Sequence, residues 1–282
     1  MRTNNVEGTR QSPGMRPQSL MLSFLGIYVL PRDIAVYSGS IIDVLARVGV
    51  SEEAVRSTLT RMAKRDLLVR QRQGRKVYFG LTPRAADVLA DGRRRIWETG
   101  AVNRDWDGTW TVVGFSLPDS RRDERHDLRS QLVWAGFGPL QNGLWIAPGH
   151  KDVVAMVEYL GLAGHVNVLT AHAAKPTEAA DLVSKAFDSP TIEARYRAFL
   201  DRWQVRRPMP ELPDDLARQL VLHTDWLQLV RQDPHLPAEH LPRDWPAIRA
   251  EKLFHRLAER YEATARRVAE PVLDTLTSAR AS

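Results

Sequence analysis

The residues of this sequence that could do chemistry concentrate between positions 51 and 81. From Ser51 to Arg65, apolar positions recur at helical spacing, with Val55, Leu59 and Met62 on one side. The opposite side carries cations and hydroxyls, which can reach the phosphates and base edges of DNA. We interpret five residues as DNA-contacting, all but the last as base readers: Arg56, Ser57, Thr60, Arg61 and Lys64.

A second basic cluster follows in the segment LLVRQRQGRKVYFGLT. Apolar and polar residues alternate around Gly74, which is typical of a β-hairpin. The basic residues on or beside the turn are further candidates for DNA contact, the last three to the backbone or minor groove: Arg70, Arg72, Arg75 and Lys76. The competing interpretation is a solvated charged surface. The prediction therefore depends on the whole set of basic residues on the helix and the hairpin, and not on a single arginine.

Enzymatic chemistry finds little support in the sequence. It contains no phosphate-binding glycine loop, zinc-protease motif or serine-hydrolase motif, and no cysteine. Its eight histidines are scattered. His223 stands out because it lies beside Asp225 and Trp226 in VLHTDWLQLV, a mixture suited to an acidic or aromatic ligand. We therefore take His223 and Trp226 as candidate effector-binding residues, the alternative being a packed histidine, and we expect neither metal nor cofactor.

Three predicted helices position the first basic cluster. SLMLSFLGIYVL, from Ser19 to Leu30, is apolar on nearly every side and ends before a proline. A second helix runs from Ser38 to Val48 and stops at Gly49. Ser51 is a good N-cap for the third, which should continue to about Arg65. Three helices followed by a basic hairpin predict a winged helix-turn-helix.

The rest of the chain alternates strands with helices and then becomes helical. After a helix from Pro83 to Trp97, four predicted strands are GTWTVVGFSLP, 136–140, GLWIAP and HVNVLTA, with helices at 120–135 and DVVAMVEYLGL. Their β-α-β-β-α-β order is that of a ferredoxin-like domain. Further helices are predicted at 178–187, 190–205, 213–231 and 246–268. The predicted fold class is therefore α+β.

Charge and composition indicate several domains with different partners. Of 282 residues, the first 100 hold 17 Lys and Arg against 9 Asp and Glu, whereas the remainder holds 23 against 25. A basic first third indicates a nucleic-acid-binding module. We predict a loose arm at 1–16, a DNA-binding domain at 17–100, a ferredoxin-like domain at 101–175 and a helical effector and dimerisation domain at 176–282. Without a secretory signal or spanning segment, a cytoplasmic protein is expected.

Three separated blocks of the chain resemble the PaaX family, the phenylacetic-acid catabolon repressors. They are SLMLSFLGIYVLPRD with the following helix and hairpin, WDGTWTVVGFSLPDSRRDERHDLRSQLVWAGFGPLQNGLWIAPG, and RQDPHLPAEHLPRDWP. The resemblance implies a homodimeric repressor that binds double-stranded operator DNA of a catabolic operon. It also implies release by a small-molecule effector, an aryl- or acyl-CoA such as phenylacetyl-CoA. On matching positions, the recognition helix is Ser51 to Arg65 and the wing is Arg70 to Phe79.

Two other functions remain open. The middle domain also resembles the small CRISPR-associated nuclease subunit, which places an aspartate at the end of its first strand. Here that strand holds no carboxylate and Asp119 comes only after Pro118, so we disfavour a metal-dependent nuclease. A basic module without sequence preference would bind operator and random duplex equally at matched salt.

Overall fold

A computed structural model of the chain describes residues 15–98 and 100–278. All but the last two residues of the predicted arm at 1–16 lie outside the described residues. Contacts divide the chain into two compact units, one from 1–94, 207–225 and 255–282, the other from 95–206 and 226–254. The predicted boundaries at 17–100, 101–175 and 176–282 stay a prediction.

The first unit begins with helical segments. α1 (Pro17–Phe24) continues through a wider turn at Leu25–Val29 and a tighter one at Leu30–Arg32, where Pro31 lacks the N–H that a regular helix needs. α2 (Ser38–Ala46) and α3 (Glu52–Lys64) follow, and both contact their neighbours through buried apolar faces. The three helices predicted in this region are thus confirmed, with boundaries shifted by a few residues.

A four-stranded antiparallel sheet completes the first unit. Its strands are β1 (Ile34–Tyr37), β2 (Leu68–Gln73), β3 (Lys76–Leu81) and β8 (Thr275–Thr277), in the order β2-β3-β1-β8. β2 and β3 form the predicted hairpin, in which Gln73 pairs with Lys76 across a two-residue loop. The sequence did not predict β1 or β8, because strands of four and three residues carry too little periodicity to recognise.

Helices from later in the chain also belong to the first unit. The first unit contains residues 83–94 of α4 (Pro83–Trp97), residues 215–225 of α9 (Asp215–Gln232) and residues 255–269 of α10 (Pro246–Ala269). Tyr28 Oη donates to Gln219 Oε1 at 2.6 Å, and Thr224 Oγ1 donates to Ser23 Oγ at 2.8 Å. Both hydrogen bonds are buried and join residues about two hundred positions apart, which local sequence patterns do not encode.

The second unit contains the other sheet, with elements in the predicted order. These elements are β4 (Thr109–Phe115), α5 (Arg122–Trp134), β5 (Gly138–Gln141), β6 (Leu144–Pro148), α6 (Val154–Tyr159) and β7 (Val166–His172). The sheet order is β5-β6-β4-β7, and all neighbours are antiparallel. Val113, Trp145 and Ala147 of the sheet share one apolar core with Leu128 and Leu132 of α5.

An aromatic cluster fills the helical part of the second unit. Here α7 (Ala179–Ala186) and α8 (Ser189–Trp203) precede residues 226–254, which belong to α9, α10 and the segment between them. The Trp226 ring stacks on Phe254 with 4.9 Å between centroids and also contacts Tyr196 and Phe199. Helices and antiparallel sheets in both units confirm the α+β class.

Candidate nucleic-acid interface

Helix α3 begins where the sequence predicts it, and for the predicted reason. Ser51 has an extended backbone, and its Oγ accepts a hydrogen bond from Ala54 N at 3.3 Å, so it satisfies an N–H that the first turn leaves without a helical partner. Glu52 and Glu53 add negative charge at this positive helix end. One face of α3 is buried in the first unit: Val55, Thr58, Leu59 and Met62.

The opposite face of α3 is exposed and carries all five predicted DNA-contacting residues of this helix. Arg56, Ser57, Thr60, Arg61 and Lys64 are each exposed. Arg56 pairs with Glu52 at 2.6 Å along the helix, and Arg61 donates to Ser57 Oγ at 3.3 Å and Thr58 Oγ1 at 3.1 Å. Exposed pairs of this kind contribute about 0.5 kcal/mol or less, so DNA can replace them at small cost.

The turn between α2 and α3 is closed by backbone hydrogen bonds around Gly49. Gly49 has a φ of +79°, and its N–H donates to Ala46 O at 3.0 Å. Val50 N donates to Leu45 O at 3.1 Å, which closes the end of α2. A positive φ is strained for residues with a side chain, so glycine at this position is required by the turn.

The hairpin of β2 and β3 brings the second basic cluster into the same unit. Arg70, Arg72, Arg75 and Lys76 are all exposed. Arg70 and Arg72 are two residues apart on β2 and therefore share a face of the strand. Gly74 opens the two-residue loop with a φ of +59°, and Arg72 Nε donates to its carbonyl oxygen at 3.1 Å. The hairpin thus presents four exposed cations on two paired strands and their short loop.

Lys76 has a partner that sequence reasoning missed. Its Nζ lies 2.6 Å from Asp274 Oδ2, and it also lies 5.2 Å from the centre of the Tyr37 ring. This hydrogen-bonded ion pair raises the pKa of Lys76 and lowers the pKa of Asp274. The two residues are 198 positions apart, and a lone aspartate in PVLDTLTS carries no motif that points to the hairpin.

The two candidate effector residues are both buried, and they fall in different units. His223 in the first unit is 8% exposed, and burial lowers its pKa to about 4, so the ring is neutral near pH 7. A neutral imidazole offers hydrogen bonds but no positive charge to an acidic ligand. Trp226 belongs to the aromatic cluster of the second unit. Their role in effector binding stays a prediction.

The carboxylate considered for nuclease chemistry lies outside strand β4. Asp119 starts a short helical turn beyond Pro118, its side chain is fully exposed, and Arg125 approaches it at 3.4 Å. Within residues 15–98 and 100–278, no group of three or more histidine, aspartate or glutamate side chains is placed to hold a metal ion. None of the helices in these ranges is long and apolar enough to cross a membrane.

Comparison with protein-family models covers most of the chain. Residues 16–85 match the model described as PaaX-like protein, and residues 103–183 match the PaaX protein central Cas2-like domain. Residues 187–271 match the PaaX-like protein C-terminal domain. The three matches follow one another in chain order, and the first contains α3 and the basic hairpin.

Two individual proteins are similar over most of their length. The transcriptional repressor PaaX of Escherichia coli K12 is 27% identical over 254 residues, which is 86% of this chain and 79% of the repressor. An uncharacterized protein from Mycobacterium tuberculosis of known structure is similar with a TM-score of 0.61 and 23% identity. That alignment covers 91% of this chain and 99% of the other, and it shows a shared fold.

Proposed function

The chain belongs to the PaaX family of transcriptional regulators, and we propose that it represses transcription by binding operator DNA sequence-specifically. The observation that carries this proposal is the exposed face of α3, where Arg56, Arg61 and neighbouring hydroxyls stand on a capped and packed helix. Arginine can bind guanine with two hydrogen bonds in the major groove, and hydroxyls can bind several bases. The similarity to a transcriptional repressor supports the same direction of regulation.

We assign the first unit to the winged helix-turn-helix class, with α2 and α3 as the helix pair and the β2–β3 hairpin as the wing. Gly49 in the turn and four cations on the hairpin support this assignment. The second sheet is ferredoxin-like in this proposal, because its strand order reads fourth, first, third and second strand with every neighbour antiparallel. No observation favours a nuclease, and a regulator without enzymatic activity, acting in the cytoplasm, is part of the proposal.

Selection from a random duplex library tests the sequence preference directly. The full chain should enrich a defined motif and bind it about 10³-fold or more tightly than random duplex at matched salt. A chain that enriches no motif and binds all duplexes equally is a non-specific basic module, and the proposal is then wrong.

A matched pair of variants tests whether α3 reads the DNA. Arg56 pairs with Glu52, and Arg197 on α8 pairs with Glu193 in the same i,i+4 arrangement. Arg56→Ala should weaken binding to the selected motif by about 1–3 kcal/mol, as expected for loss of a base contact. Arg197→Ala removes the same charge and an i,i+4 pair of the same kind. It should leave binding unchanged, because Arg197 belongs to the second unit and is not part of the proposed interface. Equal losses of affinity in the two variants would contradict the placement of α3 in the DNA interface.

We further propose that a CoA thioester, phenylacetyl-CoA or a related aryl- or acyl-CoA, releases the repressor from a catabolic operon. A releasing ligand must bind the DNA-free state more tightly, since equal affinity for both states shifts nothing. The family membership supports this effector. Phenylacetyl-CoA should raise the melting temperature and weaken operator binding at micromolar concentration, whereas free phenylacetate should do neither. A response to an unrelated metabolite, with none to any CoA thioester, would replace the effector and keep the repressor.

A further inference from the structure

Asp274 lies at the centre of a polar cluster beside the loop end of β3. Its carboxylate accepts hydrogen bonds from Lys76 Nζ at 2.6 Å and from Tyr78 Oη at 3.2 Å. Its backbone N–H donates to Ser40 Oγ at 3.0 Å, and its carbonyl accepts from Tyr37 N at 2.9 Å. We call these five residues the Asp274 clamp. It joins the end of the chain to β1, α2 and β3.

The strand that follows the clamp is attached weakly. β8 pairs with β1 over three residues, Thr275 with Val36, Leu276 with Ala35 and Thr277 with Ile34. None of the residues 271–278 is buried, so little apolar surface holds this segment in place.

We propose that Asp274 limits the affinity of the hairpin for DNA by competing with DNA phosphates for Lys76. Among the described hairpin residues Arg70, Arg72, Arg75 and Lys76, only Lys76 forms an ion pair with a carboxylate outside the hairpin. A cation that stays paired with a carboxylate neutralises no phosphate, so it releases none of the counterions condensed on the DNA. The C-terminal segment thereby sets whether Lys76 is available to a phosphate. This inference rests on the proposed DNA-binding function.

The charge of Asp274 can be removed at a small cost in stability. The side chains of Lys76 and Asp274 are 54% and 37% exposed, and ion pairs with such exposure contribute about 0.2–1 kcal/mol. The remaining contacts of the clamp, through Tyr78, Ser40 and the backbone, do not need the charge of the carboxylate. Asp274→Asn should therefore release Lys76 while β8 stays paired with β1.

The test compares DNA binding of the full-length wild type, Asp274→Asn, and the double variant Lys76→Ala with Asp274→Asn, over a series of salt concentrations. Asp274→Asn should bind the selected motif about two- to five-fold more tightly, the range of an exposed ion pair. Its plot of log K against log salt should steepen by about 0.9, which corresponds to one further phosphate contact. The double variant should lose both the gain and the steeper slope.

Asp244→Asn is the control for net charge, because it removes one carboxylate from the second unit, where Asp244 is 84% exposed and lies 3.9 Å from Arg197. It should leave affinity and salt slope unchanged. The melting temperatures of all variants exclude unfolding as the cause of any change.

Three outcomes would overturn the inference. Asp274→Asn could bind as the wild type does, the double variant could keep the gain, or Asp244→Asn could produce the same gain through net charge alone. Each of these leaves the proposed function intact, because the wild type still binds its motif. A wild-type chain that binds no DNA instead defeats the proposed function, and the inference falls with it.

Discussion

At the scale of residues, Arg61 and Arg75 should contribute to DNA binding in different ways. Arg61 stands on the exposed face of α3, and Arg75 lies in the loop of the hairpin. Arg61→Ala should cost about 1–3 kcal/mol on the selected motif and relax base preference at one position. Arg75→Ala should weaken binding to motif and random duplex alike and make the salt dependence shallower. Fluorescence anisotropy with both duplexes measures the two effects.

Identical profiles for these two variants would contradict the division of roles. Both replacements remove one arginine charge from an exposed position, so a difference between them cannot come from net charge. A loss of base preference with Arg75→Ala would place the hairpin, and not α3, over the bases.

The buried His223 should make the stability of the protein depend on pH. Its pKa of about 4 in the folded state lies below the ordinary value of 6.5, so the unfolded chain binds the proton first as pH falls. The free energy of unfolding therefore does not depend on this histidine above about pH 6.5. Between pH 6.5 and pH 4 it falls by up to about 1.4 kcal/mol per pH unit.

Chemical denaturation of wild type and His223→Gln between pH 7 and pH 4.5 measures this effect. The unfolding free energy of the variant should change less over this interval, because glutamine does not titrate. His126→Gln, at an exposed position on α5, controls for the loss of one histidine. If the unfolding free energies of wild type and His223→Gln change equally with pH, the buried His223 does not cause the pH dependence.

At the scale of elements, the turn before α3 depends on one glycine. A Cβ at Gly49 would meet no atom within 4 Å, so the cost of Gly49→Ala comes only from its φ of +79°. We expect a loss of about 1–2 kcal/mol in unfolding free energy and a weaker affinity for DNA. Gly164→Ala is the control, because a Cβ there also meets no atom and its φ is not positive. Equal stability of the two variants would contradict the backbone argument.

At the scale of the whole molecule, we propose that two copies act together. A single winged helix buries only about 600–1,000 Å² on DNA, so two copies on a palindromic or direct-repeat site are expected. The interface should come from residues beyond 100. In support, exposed large apolar side chains are numerous in the second unit: Val133, Trp134, Val154, Tyr159, Val168 and Leu169. A 31.9 kDa monomer at micromolar concentration, bound once per site, would contradict this proposal.

Sedimentation of two lysine variants locates the interface. Leu169 on the edge strand β7 is 61% exposed, and Val88 on α4 is 59% exposed. Leu169→Lys should shift the equilibrium toward monomer, because a charge at an apolar interface has to be desolvated. Val88→Lys adds the same charge to an equally exposed site before residue 100 and should leave the assembly unchanged. The reverse result would move the interface to the first unit.

Elements with local signals could be predicted from the amino-acid sequence. Ser51 and Gly49 marked the ends of α3 and α2, and helical spacing separated the packed face of α3 from its basic face. The alternation around Gly74 predicted the hairpin, and the order of strands and helices in the second sheet followed from period and turn residues. These features depend on neighbours within a few positions, so one sequence is enough to recognise them.

Contacts between residues far apart in the chain could be recognised only in the folded protein. The pairing of β8 with β1, the contact of Asp274 with Lys76 and the burial of Tyr28 against Gln219 each join residues 190 or more positions apart. The neutral state of His223 likewise follows from what surrounds it. Such contacts arise from the packing of everything between them, which no local period or cap encodes, and they place a carboxylate beside a cation that the sequence alone assigned to DNA.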